Sequence, residues 1–147
     1  MVAGGVAVAP LEDNMKTLGF AVALLALATS ASGAPYDGSA PLKCAIETVM
    51  ICSDPSVCVR GTAATALLPR VVAVDVPGRV LGGDAAGRTV KIVSVGHGAG
   101  RLLLHGEEVR MSGTAWNVVV EETSGAMTAA VLTHAGGYLA FGSCADK

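Results

Sequence analysis

Aromatic rings are scarce in this sequence: one Trp, two Tyr and two Phe among 147 residues. A core so poor in rings has to be built from Val, Leu, Ile and Ala, each of which buries less surface than a ring does. Concentrated positive charge is also missing. The chain carries 10 Lys and Arg against 12 Asp and Glu, with no basic stripe and no polybasic run. That argues against nucleic acid and anionic lipid as partners. No apolar run reaches the roughly 20 residues a membrane-spanning helix needs. After residue 33, no long segment repeats apolar residues at three-and-four spacing behind a cap, so helix signals are absent there.

Chemical signatures are equally thin. There is no GxSxG stretch for a nucleophile. The cysteines are separated by seven and five residues where zinc sites use two to four, so no metal is assigned. "GHGAG" (96–100) has the look of a phosphate cradle, but a phosphate loop opens a helix and "RLLLH" reads as a strand, so a flexible hairpin loop is expected. His97, His105 and His134 come from a loop, a strand and a strand end, without ligand spacing. His105 shares strand parity with Arg101 and Glu107, which places it on the solvent face. Glu107-Glu108 and Glu121-Glu122 are adjacent pairs, and neighbours on a strand point to opposite faces. Neither pair makes a two-carboxylate site. No catalytic or cofactor-binding residue is assigned, and the chain reads more readily as a non-enzyme than as an enzyme.

What is present begins with "MKTLGFAVALLALATSASGAPYD" (15–37). Lys16, the eleven-residue apolar run 18–28 and the small residues Ala31-Ser32-Gly33 are the three parts of a secretory signal peptide. The apolar run is too short to span a bilayer and lacks the polar positions of a core helix. Cleavage after Gly33 leaves Ala34 at the front. Residues 1–14 carry Glu12 and Asp13 where a signal wants positive charge, so Met15 is read as the true start. Residues 1–33 are thus leader and signal peptide, and the membrane is met only during export. Residues 34–43 form a short linker and 44–147 a single domain. Setting aside Lys16, Glu12 and Asp13 leaves nine positive and ten negative residues from 34 onward, a charge of about −1.

Four cysteines in an exported chain read as disulfides. Cys44, Ile46, Thr48, Met50 and Cys52 share one face of the alternating "CAIETVMIC", with the two cysteines at opposite ends. Eight residues at roughly 3.3 Å each separate them by about 26 Å, beyond the reach of one bridge. "CSDPSVC" turns at Asp54-Pro55 and brings Cys58 back beside Cys52. Of the three possible pairings, Cys52–Cys58 with Cys44–Cys144 is favoured, which makes the first and last strands neighbours.

Short β-branched runs broken by Gly and Pro every 8–12 residues continue to the end of the chain: "LLPRVVAVDV", "RTVKIVSVG", "RLLLHGEEV", "TAWNVVVEE", "AMTAAVLTH" and "GYLAFGSC". This pattern predicts an all-β fold after the signal helix, an antiparallel up-and-down barrel or sandwich of about eight strands. Trp116, Val118 and Val120 fall on the inward side of their strand.

"CAIETVMICSDPSVC", the "LP" at 68–69, and "WNVVVEETSGAMTAAV" leading to "FGSC" together resemble a group of small exported, disulfide-bonded proteins of Gram-negative bacteria. The resemblance covers most of the chain after the leader and rests on turns and cysteines. It implies location and fold, with "SG" here where such hairpins usually read "TG". Periplasmic or secreted localisation follows. The expected role is a non-enzymatic binding module for a small apolar ligand or an envelope protein partner. The alternatives are a structural or stress-related envelope protein, or a hydrolase with an unrecognised site. An interior cavity favours the ligand; a packed interior with an exposed apolar patch favours the protein partner. N-terminal sequencing of the exported protein should return Ala34, and a product beginning at Met1 or Met15 contradicts the signal assignment.

Overall fold

A computed structural model of the chain describes residues 34–54, 56–83, 89–108 and 113–146. The expected signal helix and most of the "GGDAAG" loop lie outside the described residues. All described strands are antiparallel: β1 (Leu42–Asp54), β2 (Val57–Gly61), β3 (Val71–Asp75), β4 (Val80–Gly83), β5 (Thr89–Gly98), β6 (Arg101–Glu108), β7 (Thr114–Glu121), β8 (Ala126–Thr133) and β9 (Gly136–Asp146). β1 pairs on one side with β3 through its first half and with β2 through its second, and on the other side with β9 along its length. The order β1-β3-β4-β5-β6-β7-β8-β9 therefore closes on itself as an eight-stranded barrel, with β2 as one extra strand.

Alternation of side chains explains why this closure is stable. Leu102 and Leu104 of β6, Trp116, Val118 and Val120 of β7, and Val72 and Val74 of β3 point inward and are buried, while Arg101, Glu107, Asn117 and Glu121 point outward. One inside face from each of the eight barrel strands then forms a single apolar core, to which the exposed β2 adds nothing.

Two bulges bend the wall. In β1 the register against β9 skips Glu47, passing from Ile46↔Gly142 to Thr48↔Phe141. In β5 it skips Val93 against β6. Each bulge faces a glycine across the ladder. A Cβ on Gly142 would run into the Ala45 carbonyl, and one on Gly106 into the indole of Trp116. Both glycines thus stand where another chain segment approaches too closely for a side chain.

The β1 bulge corrects the sequence reading of that strand. An inserted residue flips every later side chain to the other face. Cys44 and Val49 are both fully buried although they are an odd number of residues apart. Cys52 therefore faces outward, not inward with Cys44, and Thr48 and Met50 go with it. The elimination by distance survives, because β1 is one continuous strand. Cys44 is bonded to Cys144 inside the barrel, directly across the β1–β9 ladder. Cys52 is bonded to Cys58 outside it, across the β1–β2 ladder. Asp54 closes the small loop by accepting from the Ser56 hydroxyl at 2.5 Å and the Ser56 amide at 2.8 Å, which holds its carboxyl below the usual range.

"GHGAG" is also more ordered than a flexible loop. β5 runs through His97 to Gly98, and only Ala99 and Gly100 turn the chain, with φ of 52° and 72°. Positive φ at both centres marks the primed two-residue turn that matches strand twist. His97 Nδ1 lies 2.7 Å from Glu122 Oε1 beside this turn.

One end of the barrel is closed. Leu42, Leu102 and Val120 fill it, and residues 34–41 fold beneath. The Tyr36 amide donates to the Glu122 carbonyl at 3.0 Å, the Tyr36 ring lies against Gly125, and Gly38, at φ 80°, packs on Val76 and Leu102.

Replacing both cysteines of a bridge by serine should separate the two bridges energetically. In the loop-entropy account, losing the link across 100 residues costs roughly 4.7 kcal/mol and the six-residue link roughly 2 kcal/mol. Urea unfolding of the two double variants measures the difference, and equal losses would contradict this account.

Candidate functional site

The opposite end of the barrel is not filled. The inward positions there carry Ala129 and Ala140, which are small, where the closed end carries leucines. The result is an apolar cavity of about 630 Å³ that opens at the rim. Its walls include Val74, Trp116, Val118, Val131 and Tyr138, and Glu108, Thr114 and His134 supply polar groups. A smaller hollow of about 300 Å³ lies between β1 and residues 62–70, with Glu47 and Arg70 in its wall.

The connection from β2 to β3 forms part of the cavity's rim through Ala66, Leu67, Leu68 and Pro69. It is a single helical turn, capped at both ends. The Thr62 amide donates to Thr65 Oγ1 at 2.8 Å and the Thr65 amide returns to Thr62 Oγ1 at 3.3 Å. This is a reciprocal box with Thr where Glu is usual. At the other end the Leu68 amide donates to the Ala63 carbonyl and the Leu67 amide to the Ala64 carbonyl, at 2.8 and 3.2 Å. These two bonds make a Schellman cap, in which glycine normally takes the left-handed position. Here that position is Leu67, with φ 55° and 86% of its surface exposed. A leucine in the left-handed region costs about 1–2 kcal/mol. The sequence sets an apolar side chain at the lip of an apolar cavity despite that cost.

Trp116 is 6% exposed and lines the cavity. Its indole Nε1 is the buried side-chain polar atom among the described residues that has no hydrogen-bond partner. Buried indole N–H groups normally find one.

Of the histidines and carboxylates singled out in the sequence, Glu108 and His134 line the cavity and the others lie elsewhere. His97 pairs with Glu122 near the closed end, as described. His105 Nδ1 lies 3.0 Å from Asn117 Oδ1 on the outer face of β6 and β7. His134 is exposed in the β8–β9 turn. Glu121 accepts from Ser124, and Glu107 points outward while Glu108 reaches the cavity. Among the described residues no three His, Cys, Asp or Glu side chains are grouped to hold a metal ion. The four cysteines are all engaged in bridges. The lining of the cavity was not singled out from the sequence. The available signal was small residues, Ala129 and Ala140, at inward positions of the last two strands.

A scan of protein-family models and searches of curated proteins and of solved structures return no match to the chain.

Leu67→Gly should raise stability by about 1 kcal/mol by relieving the left-handed leucine. A rise in the urea midpoint with unchanged slope is the expected reading, and a fall would mean that Leu67 contributes packing its exposure does not reveal.

Proposed function

We propose that the chain is an exported, non-enzymatic binding protein of the periplasm or extracellular space that takes a small, mainly apolar molecule into the open end of its barrel. The observation that carries this reading is the apolar cavity of about 630 Å³, within the roughly 300–1,000 Å³ typical of ligand sites. Its apolar wall and few polar groups match the usual make-up of such sites. Export is supported by the leader and by two disulfide bonds, which belong in an oxidising compartment outside the cytoplasm. The exposed Leu67 at the rim offers an entering ligand its first apolar contact.

A second reading, a protein partner, is favoured by the outer wall. Leu103, Leu132, Leu139 and Phe141 are exposed there, on β6, β8 and β9. The two readings separate by mutation, because these side chains point away from the cavity.

The test is titration with N-phenyl-1-naphthylamine, a neutral apolar dye. Saturable one-to-one binding is expected. Ala129→Phe, which fills the cavity, should weaken it at least tenfold, while Ala130→Phe on the outer face and Phe141→Ser should leave it unchanged. Thermal unfolding checks that each variant folds. Dye binding that is unaffected by Ala129→Phe but lost in Phe141→Ser would replace the ligand reading with the outer-face one.

A further inference from the structure

The cavity is graded from mouth to floor, and the strand registers give its layers. Every Thr, His and Glu of its lining stands at the open end. Thr89 and Thr114 begin β5 and β7, Glu108 and Thr133 end β6 and β8, and His134 follows in the turn. One inward step deeper, Val131 pairs with Trp116 on one side and Tyr138 on the other. A further step down, Ala129 pairs with Val118 and Ala140. Met127 is the lining residue of β8 furthest from the mouth. Below the mouth, the lining side chains that carry an N–H or O–H are Trp116, whose Nε1 is buried, and Tyr138. Beneath those two, the lining of β7, β8 and β9 is aliphatic apart from the Met127 thioether.

The cavity is also deeper than it is wide. From Thr133 to Met127 is six residues of β8, roughly 20 Å along the strand. Barrel strands tilt by about 40°, so the depth is roughly 15 Å. A volume of about 630 Å³ over that depth has a mean cross-section of only about 40 Å². A compact apolar molecule seated across the mouth would strip water from polar groups it cannot pair, which costs free energy. A narrow tail below a polar head avoids that cost, because the head keeps the mouth hydrogen-bonded.

We propose that the ligand is a single-chain amphiphile, with its aliphatic tail inserted toward Met127 and its polar head at the mouth beside Glu108, Thr114 and Thr133. The proposal rests on the ligand-binding reading above and adds to it the chemical class and the orientation of the occupant. The protein then reads the length of the tail through the depth of the cavity. It is indifferent to the size of the head, which stays in water.

The probes are n-alkyl β-D-glucosides and n-alkyl β-D-maltosides with tails from hexyl to decyl, titrated by calorimetry below their micelle concentrations. Affinity should rise about fourfold per added methylene until the tail meets the floor. Glucoside and maltoside of one tail should bind alike, since the second sugar lies outside. In Ala129→Phe, which fills the layer beneath Trp116, the rise should stop at a shorter tail. Ala130→Phe, on the outer face, should keep the wild-type profile, and thermal unfolding checks that both variants fold. Suppose that N-phenyl-1-naphthylamine binds and Ala129→Phe weakens it. If then no glycoside binds, or affinity ignores tail length, or the maltosides are weaker by about tenfold or more, or the rise is unchanged in Ala129→Phe, the amphiphile is overturned and the cavity reading stands. If neither the dye nor any glycoside binds, both fall together.

Discussion

Pairing of β1 with β9, from Leu42↔Asp146 to Cys52↔Gly137, is the contact the other features depend on. An up-and-down sheet that does not close has two raw edges and one apolar face open to water. Joining the two ends removes both edges of the eight-stranded sheet and turns that face into an interior. The Cys44–Cys144 bridge lies on this seam and faces inward, so it links the strands where they already meet and is itself shielded by the core. The seam also fixes what glycine is for at 142. The bulge that bends β1 pushes the Ala45 carbonyl toward β9, and only a residue without a side chain leaves space for it.

The scarcity of aromatic rings has a structural outcome beyond a Val- and Leu-rich core. A barrel of eight strands encloses a fixed width, and side chains must fill it. At the closed end Leu42, Leu102, Val120 and the segment around Tyr36 do so. At the open end, alanines at 129 and 140 stop short of the axis, and a single tryptophan does not make up the difference. The cavity is thus the part of the interior that the composition leaves unfilled, and the closed end differs from it in side-chain volume and in the 34–41 segment folded beneath it.

The strands were legible because short β-branched runs lie between turn residues, and the inward–outward alternation holds through β3, β6 and β7 even where the outward residue is apolar, as at Val71 and Leu103. What misled was local irregularity. Nothing in "CAIETVMIC" announces that Glu47 is the extra residue, because a bulge is set by the partner strand, and its cause, Gly142, is almost a hundred residues away. "GHGAG" reads as loose because glycine is common to loops and to tight primed turns alike. The cavity was less legible still. Volume is a property of all eight strands at once, and the left-handed Leu67 is dictated by a cap whose usual residue it replaces. The histidines offered no site in the sequence, and two of them have ordinary neighbours in Glu122 and Asn117.

The seam joins residues 100 positions apart, and this has a kinetic meaning. Contacts between neighbouring strands form at short loop-closure distances, but the closing ladder must wait until β9 is available and the longest loop in the fold has been spanned. Without that ladder the eight-stranded sheet would keep two unpaired edges and an exposed apolar face. A polypeptide of this topology gains its stability late and all at once.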